Sequence, residues 1–165
     1  MRLYHGSNMA ITDIDLSRCR PNKDFGLGFY LSPDKTAAEK MAHRTVKRFG
    51  GSPYVMTYDF NDVELGRLAL RRFEKPSVEW AMFVMANRRG VIDAQEHNLD
   101  NKFDVVVGPI ANDDLALLFR QFSRGLLTVE MLMREMQYKE LTVQYSFHTQ
   151  QAVSLLKLIE VNHVD

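Results

Sequence analysis

A chain of 165 residues that is 45% hydrophobic carries apolar material for a sizeable core, which excludes a predominantly disordered polypeptide. Its 21 Lys+Arg balance its 21 Asp+Glu, so no bulk field selects a nucleic acid or a membrane surface as partner. The lone Cys19 excludes an intrachain disulfide, the first residues lack a signal-peptide pattern, and no apolar run approaches the roughly 20 residues that span a bilayer. The expectation is a soluble, cytoplasmic protein with no membrane partner.

In chain order, "LYHGSN" (residues 3–8) reads as a short strand with His5 at its end, and "YLSPDK" (30–35) as a strand running into a helix start. That helix spans 33–49, with Ser32 as N-cap, Pro33 in the first helical position and Gly50-Gly51 as terminator. Residues 54–60 alternate as a half-buried strand, and Leu68 and Leu70 suggest a shorter one. A helix over 77–89 carries Trp80 and ends in Arg88-Arg89-Gly90, which suits the negative end of its dipole. A polar loop over 91–102 leads to a buried strand, 103–107, closed by Gly108-Pro109.

Asn112 and Thr128 cap two further helices separated by Gly125. Residues 142–147 alternate an apolar face, Val143, Tyr145 and Phe147, with a polar face, Thr142, Gln144 and Ser146. A final helix from Thr149 would bury Ala152, Val153, Leu156 and Ile159. Without repeats or a dividing linker, residues 1–165 read as one mixed α+β domain.

Five histidines without zinc-ligand spacing give no expectation of a metal, and "GLGF" (26–29) lacks the third glycine and preceding strand of a dinucleotide-binding turn. Cys19, His5 and Asp24 could be imagined as a nucleophilic triad, but a cysteine among arginines is more often incidental. His5-Gly6 alone is ordinary turn chemistry. Asn112-Asp113 reads as a cap and first turn, Glu79 as a first-turn residue matching the helix dipole, and Phe25, Phe29 and Leu31 as packing on one strand face.

"HGS" followed some twenty residues on by "DFGLGFYLSPDKTAAEKMA" resembles the first two catalytic motifs of ADP-ribosyltransferases, a superfamily that includes diphtheria toxin and the poly(ADP-ribose) polymerases. His5, Gly6, Gly28, Phe29 and Tyr30 match in order and at similar separation. Over nearly its whole length the chain also resembles an uncharacterised bacterial family of domain-of-unknown-function proteins, often encoded beside a small partner in toxin–antitoxin arrangements. That resemblance rests on "LYHGS", "KDFGLGFYLS", "FDVVVGPIAND" and "QYSFHT".

The resemblance implies a split antiparallel β core surrounded by helices, with NAD as substrate and ADP-ribose passed to a protein or nucleic-acid acceptor. His5, Gly6, Ser7, Asp24, Gly28, Phe29 and Tyr30 would bind NAD: Gly6 through its backbone to the carboxamide, Tyr30 by stacking on nicotinamide, His5 at a ribose hydroxyl. The missing side chains of Gly6, Gly26 and Gly28 would keep the approach clear. His5, Tyr30 and Gln144 would be the catalytic set.

At the third motif the family has a glutamate, and here "TVQYSFHT" (142–149) offers Gln144. The transition state is oxocarbenium-like, so an uncharged amide weakens the chemistry, by about 10² to 10³ if one electrostatic group is lost. Asp24, Glu140, Glu79 or Asp113 could supply a carboxylate from elsewhere, Asp24 being the nearest to the motif. Two other readings share the fold: an NAD- or partner-binding module without turnover, with Met131, Met133 and Met136 on its surface, and an NAD-dependent enzyme removing a phosphate from RNA, for which no basic cluster is evident in the sequence.

Overall fold

A computed structural model of the chain describes residues 1–90, 96–137, 139 and 141–165. Glu140 and the first part of the expected 91–102 loop lie outside them. The fold is mixed α+β, with strands β1 (Arg2–Ser7), β2 (Phe29–Leu31), β3 (Tyr54–Asp59), β4 (Leu70–Arg72), β5 (Val105–Pro109), β6 (Val143–Phe147) and β7 (Lys157–His163). Helices α1 (Lys35–Phe49), α2 (Val78–Arg89), α3 (Asp113–Ser123), α4 (Val129–Met136) and α5 (Gln150–Val153) intervene.

The strands form two sheets, ordered β1-β3-β7 and β2-β6-β5-β4. Every pairing is antiparallel except β4 with β5. Those two are joined by the crossover that contains α2, and a crossover helix is what a parallel connection requires.

Alternation along the strands builds three apolar clusters. Leu3, Met56 and Tyr58 of the first sheet meet Phe29, Leu31, Val105, Val107 and Phe147 of the second in a core between the sheets. On its opposite side the second sheet is covered by α2, α3 and α4, which bury Trp80, Phe83, Leu115, Phe119 and Leu132 against Phe25 and Val106. Helix α1 lays Ala38 and Ala42 on Val55 of the first sheet. Burying a side chain such as Phe83 completely contributes about 2–3 kcal/mol. Because each sheet is covered on both faces, β3 and β6 are buried on both sides rather than half-buried.

The caps at Asn112 and Thr128 are as expected, and Ser77, read as the first residue of its helix, is the N-cap of α2, each side chain accepting a first-turn N–H. Helix α1 departs from expectation: Ser32 is held in a β-bridge with Tyr4 and its hydroxyl accepts from Asp34 N–H, so Asp34 becomes the N-cap, accepting from Thr36. Gly108 and Pro109 belong to β5 instead of ending it, and Leu68 follows a 3₁₀ turn, outside β4.

The expected final helix is the largest correction. It stops after α5, and residues 157–163 pair with β3 as an edge strand. A bulge shifts the register between Thr57 and Tyr58, so that Leu158 and Val161 both face the core. Of the stripe expected in a helix, Ala152, Val153 and Leu156 pack on the inter-sheet core, whereas Ile159, at the bulge, is 44% exposed.

Candidate functional site

The two sheets meet at one point. Tyr4 and Ser32 exchange both backbone hydrogen bonds at 2.8 Å, and beyond them β1 and β2 part. In a strand, successive residues direct their N–H and C=O groups to opposite edges. The carbonyl of Met1 accepts from Phe60 on the β3 side, whereas Tyr4 uses the other edge, so Gly6 shares the Tyr4 edge and presents its N–H and C=O to the gap. Continuing the Tyr4–Ser32 register sets Gly6 opposite Tyr30, where no backbone bond joins the strands among the described residues.

His5 spans that gap with its ring. Its Nδ1 lies 2.6 Å from the Tyr30 carbonyl, and because a carbonyl only accepts, the hydrogen sits on Nδ1. Burial depresses the ring to about 4, against the opposing pull of the Tyr30 carbonyl and with a small push from Lys23, so it is neutral at pH 7. Nε2 is therefore an acceptor, and it has no protein partner among the described residues. Phe29 stacks beneath the imidazole, with centroids 4.2 Å apart, which makes Phe29 the support of His5 and a member of the inter-sheet core.

Two expected roles are corrected by what a β-carbon would meet. At Gly6 it would lie 1.9 Å from the Ala38 carbonyl oxygen, so the missing side chain admits helix α1, and the groups facing the gap are the backbone N–H and C=O. At Gly28 it would lie 2.6 Å from His148 Nδ1 and 2.7 Å from the Phe147 carbonyl oxygen, so this glycine makes room for an imidazole. Gly26, with φ of 94°, needs the left-handed conformation and packs at the Asn98 carbonyl.

Tyr30 closes the glycine-rich loop on itself. Its hydroxyl donates to the Gly26 carbonyl at 2.6 Å and accepts from Phe25 N–H at 3.1 Å, and burial raises it well above the usual tyrosine value. The ring meets His148 edge-on at 6.2 Å.

Asp24 and Gln144, 120 residues apart, come together. Both are 8% exposed, and Gln144 Nε2 donates to Asp24 Oδ2 at 3.4 Å. Asp24 is already engaged: Oδ1 accepts from Arg88 Nε at 2.8 Å and lies 2.7 Å from Nη2, which donates to the Ala111 carbonyl, and Oδ2 accepts from Ala111 N–H at 3.0 Å. The carboxylate expected to stand in for the family glutamate is thus turned to the protein. The polar face of β6 that carries Gln144 is buried rather than open.

The remaining candidates lie apart. Glu79 pairs with Arg71, and Asp113 sits in the first turn of α3 behind the Asn112 cap. Ser7 is buried at the end of β1 and makes no side-chain hydrogen bond among the described residues. Cys19 packs on the inter-sheet core with its thiol pushed up by burial and then by Asp15, while His5 and Asp24 are taken by Tyr30 and Arg88, so no nucleophilic triad assembles. Among the described residues no group of three His, Cys, Asp or Glu is arranged to hold a metal ion.

Sequence reasoning missed three features. His148 is buried beside the motif, Nδ1 donating to Leu27 O at 2.8 Å and Nε2 lying 2.8 Å from Ser146 Oγ; burial takes it to about 4. Arg88 reads in sequence only as a match to a helix dipole, and nothing local announces its partner 64 residues away. The third feature is cationic: Arg20 and Arg48 lie over the Phe49 ring at 3.7 and 5.0 Å. They also border Lys23, whose ammonium is lowered by partial desolvation, held up by Asp24, and lowered further by Arg20, Arg48 and Arg88. These cations are scattered in sequence and gather only on folding.

The family model described as "Protein of unknown function (DUF3990)" matches residues 1–158. No curated protein and no solved structure matches the chain.

Proposed function

Because the chain belongs to the DUF3990 family, whose description assigns no function, we propose from the cleft itself that the protein is an NAD-dependent ADP-ribosyltransferase of the corresponding fold. The observation that carries this reading is the parting of β1 and β2, which leaves Gly6 N–H and C=O, Tyr30 and the free Nε2 of a neutral His5 around one gap. An amide donor and acceptor on one strand edge fit a planar carboxamide, the pairing that nicotinamide offers. In this reading the Tyr30 ring stacks on it, and His5 Nε2 accepts from a ribose hydroxyl. The cations around Lys23 suit the diphosphate that follows.

In the reaction the C1′–N bond breaks, its electron pair leaves with nicotinamide, and an acceptor oxygen or nitrogen forms the new bond to C1′ and loses its proton. The acceptor is a protein or nucleic acid inside the cell, and a small antitoxin protein would restrain the enzyme. No helix among the described residues is long and apolar enough to cross a membrane.

The test is incubation of the purified protein with adenine-labelled NAD and a bacterial lysate, following free nicotinamide and labelled macromolecules together. Release and transfer that vanish in His5→Ala and Tyr30→Ala, with both variants folded by circular dichroism, support the transferase; activity unaltered in both overturns it. The engagement of Asp24 by Arg88 favours a second reading, an NAD- or partner-binding module without turnover. NAD binding by calorimetry with no nicotinamide released would select it.

A further inference from the structure

A glutamine is a poor replacement for a carboxylate because its amide has no fixed charge and can present either end to a ligand. Gln144 escapes the second problem. A carboxylate only accepts, so the amide nitrogen must face Asp24, and Oε1 is turned away from it. Asp24 cannot reorient to meet a ligand, since Arg88 holds one of its oxygens and Ala111 N–H the other. Its charge, shared across a buried hydrogen bond, also polarises the amide and makes Oε1 a stronger acceptor.

We infer that Asp24 is a positioning residue that fixes and polarises Gln144, so that Gln144 Oε1 takes the ribose hydroxyl that a glutamate would otherwise hold. The inference rests on the NAD reading above. It makes the third catalytic position a pair of side chains, one contacting substrate and one behind it. A purely structural Asp24, tying the glycine-rich loop to α2, would change stability without changing turnover in a particular way.

The pair is tested in the full-length protein by nicotinamide release against pH, with NAD affinity and thermal unfolding measured alongside, in Asp24→Asn, Gln144→Glu and the double exchange. Asp24→Asn should lower kcat by about 10- to 100-fold, the range seen when the partner orienting a ligand-contacting group is lost, with KM for NAD little changed. Gln144→Glu leaves the Arg88 and Ala111 contacts in place and sets two carboxylates together, which share a proton. Its nicotinamide release should therefore acquire an ascending step with pH that wild type lacks, and the double exchange, with one carboxylate and one amide, should lose that step and recover turnover. Wild-type kcat in a folded Asp24→Asn, or a Gln144→Glu profile as flat as wild type, overturns the positioning role alone. No nicotinamide from wild type overturns the NAD reading and this inference with it. If Asp24→Asn does not fold, the Gln144→Glu profile decides.

Discussion

The ring of His5 donates its Nδ1 hydrogen to the backbone carbonyl of Tyr30, so one side chain bridges the two strands at the place where their ladder has stopped. This bond sets the tautomer and spends the only hydrogen of the neutral ring, leaving Nε2 for a ligand. His5→Ala should lower nicotinamide release by about 10² to 10³ while the far-ultraviolet circular dichroism stays at its wild-type shape. A His5→Gln variant should recover part of this, because its amide can still donate to Tyr30.

Tyr30 has two separable parts. Its hydroxyl ties Gly26 and Phe25, and its ring is the surface proposed to stack on nicotinamide. Tyr30→Phe should keep NAD turnover while losing about 1–3 kcal/mol of stability, since Phe25 N–H is left without its partner. Tyr30→Ala should lose turnover as well. Parallel chemical denaturation and nicotinamide assays separate the two effects.

Gly6→Ala and Gly28→Ala probe packing rather than ligand access. A β-carbon at Gly6 runs into the Ala38 carbonyl in the backbone of α1, a deeper overlap than at Gly28, where it meets the His148 imidazole at 2.6 Å and the Phe147 carbonyl oxygen at 2.7 Å. Gly6→Ala should cost more than the roughly 1–3 kcal/mol typical of overpacking and yield little soluble protein, and Gly28→Ala should fall within that range. Thermal unfolding without NAD tests both, and an unchanged melting temperature in Gly6→Ala would contradict the packing role.

Acid should destabilise the protein in a defined window. His5 and His148 are both lowered by burial from 6.5 to about 4, so between those values the unfolded chain binds more protons than the folded protein. Their contribution is complete above 6.5 and lost as pH falls through 4. For His148, 2% exposed, it is roughly 3 kcal/mol, at about 1.4 kcal/mol for each pH step of displacement. Urea unfolding at pH 7, 5.5 and 4.5 should give falling midpoints, and a midpoint flat over that range would contradict the neutral histidines.

Much of the fold was legible because its signals are local. The caps at Asn112 and Thr128 need only a side-chain oxygen and the turn that follows it. The terminal strand was not legible, because Leu156 and Ile159 continue the helical spacing of Ala152 and Val153, and the bulged pairing with β3 that leaves Ile159 exposed is not a local signal. At the site, His5, Gly6 and Tyr30 stood out by order and separation, and the fold brings them to one gap. The reasons first given for Gly6 and Gly28 did not hold, since their neighbours, Ala38 and His148, lie 32 and 120 residues along the chain. The Asp24–Arg88 pair and the gathering of Arg20, Lys23 and Arg48 depend on which strands and helices meet.

The pairing of β2 with β6 has a consequence for synthesis. Strand β2 is made early, yet its ladder partners are Tyr145, Ser146 and Phe147, and Asp24 waits for Gln144. Such distant partners impose loop-closure entropy before any contact repays it. On the ribosome the first sheet's β1–β3 pair has its strands well before this, while the glycine-rich loop and its tyrosine have nothing to dock on until residue 147 has emerged. A nascent chain therefore holds its glycine-rich loop unfinished while more than a hundred further residues are made, and the cleft closes only when β6 arrives.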